Sequence, residues 1–323
     1  MRKLCRLMLF FVLIALPGCV FITLPGVEPL AEKTVAGKGD DKIVLIDISG
    51  IIKDGDTGSL LGMRSKPNLT ARIREELDLA AADRKVKAVV LRINTPGGSV
   101  TTSDVIAHEL ERFKEKKKVP VVAHLMDMAT SGGYYIAASA DRIIAQPTAV
   151  TGSIGVIAFS VNASGLMDKI GITNQTIKSG DLKDIGSPLR PMTEEDRKIL
   201  QSVIDSMYDR FLDRIMEGRP GRFTRDELKA FADGRIFTAR QAMEYKLVDS
   251  IGYLDDAIEA ARKDAGIKEA RVVTYSEPRS YKNNIYSKSG LTEGDVLPKG
   301  LLVNIDAGRL TDSGMQFMYI WLP

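Results

Sequence analysis

Apolar positions along the chain repeat with two periods, and the periods alternate. "KIVLIDISGII" (42–52) reads as a strand. "VKAVVLRIN" (86–94) is an almost continuous apolar run rich in valine, the pattern of a strand covered on both faces. "VPVVAHLM" (119–126) repeats it. Between these runs, 69–83 and 103–118 carry helical spacing. A helix over 131–140, a strand near "RIIA" and the segment "TGSIGVIA" follow. Leu200, Val203, Ile204, Met207, Phe211 and Ile215 then make one apolar stripe along a long helix at Glu194–Glu217. "TRDELKAFADG" and "TARQAMEYKLVD" predict shorter helices. Alternation of strand and helix from 42 to 178 predicts an α/β layer fold with a parallel sheet, followed by a helical C-terminal part. The folded domain is expected over 41–270. Residues 19–40, broken by Pro25, Pro29, Gly37 and Gly39, read as a tether, and 271–323 as a C-terminal extension that ends in the apolar "MQFMYIWLP".

The first residues are leader and not fold. Arg2, Lys3 and Arg6 form a basic start, Leu7 to Leu16 an apolar stretch, and "LPGC" follows. Residues 1–18 therefore read as a signal peptide of lipoprotein type, with Cys19 as the acylated first residue of the mature chain. An uncleaved anchor and plain cleavage are the other two readings. Prolines 17, 25 and 29 oppose one continuous spanning helix, which needs about 20 residues. Each reading sends the body of the protein outside the cytoplasm. Residues 1–18 hold three of the 45 basic residues and none of the 42 acidic ones, so the mature chain carries 42 of each sign. Its balance gives no reason to expect a nucleic-acid partner. Cys5 and Cys19 are the only cysteines and both lie in the leader, so the body has neither a disulfide framework nor a thiolate metal site.

Three features could carry chemistry. "NTPGGSV" (94–100) turns the chain at the C-terminal end of a buried-type strand, where α/β folds gather their sites. Its glycines would let backbone N–H groups approach a ligand, as an oxyanion requires, although a plain turn has the same residues. Ser131 opens the helix after the strand at 119–126 and could be an N-cap or a nucleophile. Gly132 and Gly133 are poor residues for a first helical turn, which favours a close approach there. A base is the third need. His124 lies inside an apolar strand and His108 on an amphipathic helix, both positions of structural histidines. A neutral lysine can serve instead. Bringing its pKa from about 10.4 to near 8 costs roughly 3–4 kcal/mol, within the reach of burial. Lys178 and Lys183 lie in "TIKSGDLKDIGSP" (176–188), and spacing alone selects neither.

"NTPGG", "ATSGGYYIAASADRI", "TGSIGV", "IKSGDLKDIGSPLRPMTEEDR" and "DGRIFTARQAMEYKLVDSIGYLDDA", in this order, closely resemble the signal peptide peptidase A family of bacterial serine proteases, in its short form with one catalytic unit. The likeness spans about 41–265. It implies a crotonase-like, Clp-protease-like α/β fold and a peptidase without cofactor or metal. It also implies that Ser131 is the nucleophile and Lys183, not Lys178, the general base. Ser153 would orient the lysine, and the Gly98 N–H would donate to the oxyanion, with Gly132 as second donor. By resemblance the protein is a homo-oligomer, a ring or dome in which serine and lysine come from neighbouring copies. Its substrates would be remnant signal peptides at a membrane of the bacterial cell envelope, on the periplasmic side. Thr130 departs from the alanine expected there, and 276–323 has no assigned counterpart. The tail Met315–Pro323 is expected to pack on the body or between copies, with occupation of a substrate groove as the alternative. A non-catalytic crotonase-like scaffold would lack the serine or the lysine, and an acyl-CoA hydratase or isomerase would want a cytoplasmic address. The chain has both residues and a leader.

Overall fold

The computed structural model of the protein describes residues 29–54, 68–276, 283–287 and 316–322. The leader, Cys19 and most of the segment between Ser276 and Gln316 lie outside the described residues.

The first half runs β1 (Ala31–Gly37), β2 (Lys42–Ser49), α1 (Leu69–Ala82), β3 (Val86–Thr95), β4 (Gly97–Ser99), α2 (Val100–Lys117), β5 (Val121–Thr130), α3 (Gly132–Ala137), β6 (Arg142–Ala145) and β7 (Val150–Gly152). The second half runs β8 (Ile157–Phe159), α4 (Ser164–Lys169), a 3-10 turn (Asp181–Asp184), α5 (Glu194–Gly218), α6 (Arg225–Lys229), β9 (Ile236–Thr238), α7 (Ala239–Glu244), β10 (Ser250–Ile251), α8 (Leu254–Asp264), β11 (Arg271–Ser276) and β12 (Gln316–Ile320). One sheet has the order β1-β11-β2-β3-β5-β6-β10, with β7 also paired to β5 and β9 to β7. Its central pairs are all parallel.

The two faces of this sheet explain the continuous apolar runs. Ile43, Leu45, Ala88 and Val90 pack with Leu254, Ala257 and Ala261 of α8. Their neighbours Val44, Ile46, Val89 and Leu91 point the other way, into a core with Ile73 and Leu77 of α1, Ile106 and Leu110 of α2, and Tyr134 of α3. Strands buried on both faces cannot alternate in polarity, so period 2 is hidden in them.

Two edges differ from the sequence expectation. Residues 31–37, read as tether, form β1, antiparallel to β11, and β11 itself lies parallel to β2 although it was read as extension. The pattern of β1 is that of an edge strand, half exposed and half polar, which hydrophobic periodicity does not reveal. Between Gly155 and Glu195 no residue is buried, and 172–178 forms no strand. This long arm carries exposed apolar side chains, among them Phe159, Leu166, Ile170 and Ile177.

A second, three-stranded sheet has the order β4-β12-β8. The chain's own tail is the middle strand, antiparallel to both neighbours. Packing on the body was the expected role of this tail. It does so as a strand between β4 and β8, close to Ser131.

Candidate active site

Strand β5 delivers Ser131 at its C-terminal end, and α3 leaves at once from Gly132. Ser131 is at the N-cap position, but its side chain makes no capping hydrogen bond. Its Oγ is buried and has no partner among the described residues. Its φ of +53° lies in the left-handed region, where an ordinary side chain costs about 1–2 kcal/mol. The conformation is held by Ser131 N–H donating to the Gly152 carbonyl at 2.7 Å and by Tyr135 N–H donating to the Ser131 carbonyl at 2.9 Å. A cap would need neither the strain nor the idle hydroxyl, so the N-cap reading fails.

The β5–β7 register puts Thr130 opposite Gly152, so Ser131 and Ser153 follow side by side. Ser153 is the mirror of Ser131 in one respect: its φ is +51°, with its N–H donated to the Arg235 carbonyl at 2.7 Å. Ser153 also lines a cleft of about 480 Å³, with Tyr208, Asp233 and tail residues Ile320 and Trp321 on its walls.

The glycine turn meets α3 closely. A Cβ added to Gly97 would stand 2.9 Å from the Gly132 nitrogen, and one added to Gly132 would stand 2.5 Å from Ser103 Oγ. Gly133 is pressed likewise on Thr95. The Gly97 carbonyl accepts from Ile52 N–H and the Ser99 N–H donates to the Ile52 carbonyl. In an extended chain the N–H of Gly98 between them must face the opposite way, toward β12. The glycine turn and the start of α3 thus meet beside Ser131, with Gly97 against Gly132 and the Gly98 N–H turned toward β12.

The histidines are elsewhere. His124 sits on β5 seven residues before Ser131, roughly 23 Å along an extended strand. It is fully buried, its Nε2 lies 3.2 Å from the Gly252 carbonyl, and desolvation pushes its pKa down to about 4. His108 is exposed on α2.

Within one chain Lys183 does not reach Ser131. It is exposed on the 3-10 turn of the arm, and no ion pair or side-chain hydrogen bond holds it among the described residues. Lys178 is committed: its Nζ lies 2.8 Å from Asp184 Oδ1 and 2.8 Å from the Asp181 carbonyl. Arg190 first, and Lys178 second, hold the Asp184 carboxyl down at about 2.

Sequence reasoning missed the strand β8 and the occupied groove between β8 and β4. The Phe, Tyr, Ile and Trp of 317–321 are strand-forming residues, the one signal available.

Comparison with known proteins gives the site its relatives. The sequence pattern of peptidase family S49 matches residues 113–268, and that of Clp protease matches 57–153. An Enterococcus faecium protein carried under the name signal peptide peptidase SppA is 38% identical over 251 residues, 77% of this chain and 72% of its own. A Methanocaldococcus jannaschii protein named as a protease is 34% identical over 83% of this chain and 84% of its own. Protease 4 of Salmonella typhi is 34% identical over 85% of this chain but only 43% of its own length.

Proposed function

Because the chain belongs to peptidase family S49, among the signal peptide peptidases of SppA type, we propose that it is a membrane-tethered serine endopeptidase with a Ser131–Lys183 dyad assembled between two copies. The observation that carries the reading is Ser131: a buried hydroxyl without a partner among the described residues, on a strained backbone, next to the close contact of Gly97 with Gly132.

The neutral amine of Lys183 takes the hydroxyl proton as Ser131 Oγ attacks a peptide carbonyl. The Gly98 and Gly132 N–H groups hold the negative oxygen. Collapse breaks the C–N bond, and the leaving nitrogen takes the proton back from the lysine. A water then gives one proton to Lys183 and its oxygen to the acyl carbon, freeing the acid and restoring the serine. Ser153 is the partner that aims the amine, and the open cleft it lines is the approach for a side chain from outside the chain.

A neighbouring copy as source of the lysine is supported by the arm itself. A segment with no buried residue from 155 to 195 has no core to repay its ordering, yet Phe159 is 58% and Ile177 99% exposed. A second copy of the chain covers such a surface, and Lys183 arrives with it. The substrates are extended apolar peptides, signal peptide remnants among them, bound by strand addition in the groove that β12 occupies. The tether is the leader with Cys19, on the non-cytoplasmic side of the cell envelope.

Ser131→Ala and Lys183→Ala should each abolish casein hydrolysis while leaving assembly intact, as read by activity and by size. Retained activity in Lys183→Ala, with loss in Lys178→Ala, would show the base to be the other lysine.

A further inference from the structure

Resting on the peptidase reading above, we propose that Thr95 is a positioning residue for that reaction: its hydroxyl holds the glycine turn, and its methyl group the start of α3, in a fixed relation to Ser131.

Thr95 is the last residue of β3 and is buried. Its Oγ1 joins the loop after β2 to the glycine turn. It donates to the Gly50 carbonyl at 2.5 Å and accepts the Gly97 N–H at 3.0 Å. The Gly97 carbonyl also lies within reach, at 3.4 Å, but the Gly50 carbonyl is nearer and takes the single proton. The lone pairs are left for Gly97 N–H. Gly97 is buried at φ +99°, a conformation that its lack of a side chain permits and that nothing in its own chemistry enforces.

The consequence falls on the next peptide. The peptide between Gly97 and Gly98 carries the Gly98 N–H, and two glycines in succession leave it free to turn. Here its carbonyl accepts from Ile52 N–H at 2.9 Å, while the residue before it is held through Gly97 N–H. Ile52 lies two residues beyond Gly50, which Thr95 also holds. Both restraints on the peptide therefore lead back to one hydroxyl.

The methyl group faces the other side. A Cβ added to Gly133 would stand 2.7 Å from Thr95 Cγ2, so α3 starts in direct contact with it. Thr95 is also paired with Ala129 on β5. Ala129 and Gly133 lie two residues before and two after Ser131, so Thr95 braces the backbone on both sides of the nucleophile. Asn94 supports the same junction. The β3–β5 register shifts between Ile93 and Thr95, and Asn94 Oδ1 accepts the Met128 N–H at 3.2 Å there.

The two halves of the side chain can be separated. Valine keeps the branched shape and loses the hydroxyl, and serine does the reverse. Without the hydroxyl the buried Gly97 N–H loses its acceptor, and the peptide after it regains its freedom. An oxyanion donor acts when the carbonyl oxygen gains its charge and little before, so the loss falls on kcat and not on KM. Removing such a donor outright costs about 10²–10³-fold in kcat, and loosening it should cost about 10–100-fold.

The test compares full chains on a quenched peptide and on casein, with rates taken per folded protein by circular dichroism and size. Thr95→Val should lose about 10–100-fold in kcat with KM within about threefold of wild type. Thr95→Ser should recover most of that kcat, whatever its melting temperature. An unchanged kcat in Thr95→Val, a loss carried by KM alone, or equal losses in the valine and serine variants would overturn the assignment while leaving the peptidase reading in place. If Thr95→Val does not fold, Thr95→Ala and Thr95→Ser both lack the methyl and read the hydroxyl alone, and equal kcat in those two would overturn it. No hydrolysis of casein or peptide by the wild-type chain would overturn the peptidase reading and the assignment with it.

Discussion

Mixing two dead enzymes should give a live one. Ser131→Ala removes the proposed nucleophile and leaves Lys183 on its arm. Lys183→Ala does the reverse. Ser131 is buried at the end of β5, whereas Lys183 is exposed on a segment with no intrachain burial, so one chain does not bring them together. If each site draws serine from one copy and lysine from its neighbour, random assembly at equal amounts pairs a complete set with probability one half times one half. Activity should return to about 25% of wild type at the same total protein. Each variant alone should fall by about 10⁵–10⁶-fold, as serine enzymes do when one member of the catalytic unit is lost. The assay is hydrolysis of a quenched peptide after the two proteins have been unfolded together and refolded. Native mass spectrometry reports whether mixed assemblies formed. Mixed assemblies with no recovered activity would refute the composite site, because a site built within one chain leaves every chain lacking one residue.

Further perturbations test other parts of the structure. Truncation after Asp312, or Tyr319→Ala, should lower the apparent KM for added peptides. Tyr319→Ala removes a fully buried aromatic anchor from the tail, which costs its seat about 3–5 kcal/mol. An unchanged KM in titrations of both variants would mean that the tail does not hold the groove. His124 has a folded pKa of about 4 against about 6.5 unfolded, so the unfolded chain binds the extra proton between those values. Stability should be full above pH 6.5 and fall by about 3 kcal/mol as pH drops to 4, and His124→Asn should flatten that slope in urea melts. Arg92 and Asp47 form a buried ion pair, and Arg92 also donates to the carbonyls of Ile285 and Ser287. Asp47→Ala should cost about 3–5 kcal/mol, read as a lower urea midpoint with an unchanged slope, because it strands the guanidinium in the core. EDTA should leave the rate unchanged in the same peptide assay, since no step of the proposed mechanism passes through a metal.

The central strands and the long helix were legible because their cause is local. Runs such as 86–94 and the Met207, Phe211 and Ile215 part of the helical stripe carry their burial in their own spacing. From spacing alone Ser131 was legible only as a choice between cap and nucleophile, and family resemblance favoured the nucleophile. The choice turns on a φ angle and an unpartnered Oγ, and both are products of the β5–β7 register, which pairs residues 22 apart. β1 and β12 were hidden for a related reason. Each is defined by a partner hundreds of residues away, β11 for the first and β4 for the second, which no local spacing reveals. Lys183 illustrates the limit in another way. Its lack of an ion pair or side-chain hydrogen bond among the described residues is visible only once the arm is seen to bury none of its residues.

A plug that is covalently joined to the groove it fills has an effective concentration set by its tether alone. Diluting the protein scatters neighbouring copies but leaves each β12 as close to its own groove as before. Peptides that use this groove would therefore compete with an occupant that never leaves the solution around them, and their measured Kd would be the intrinsic one divided by the fraction of grooves found empty. Crowding of peptides, as at a membrane surface, shifts that competition, whereas their mere presence at low density does not.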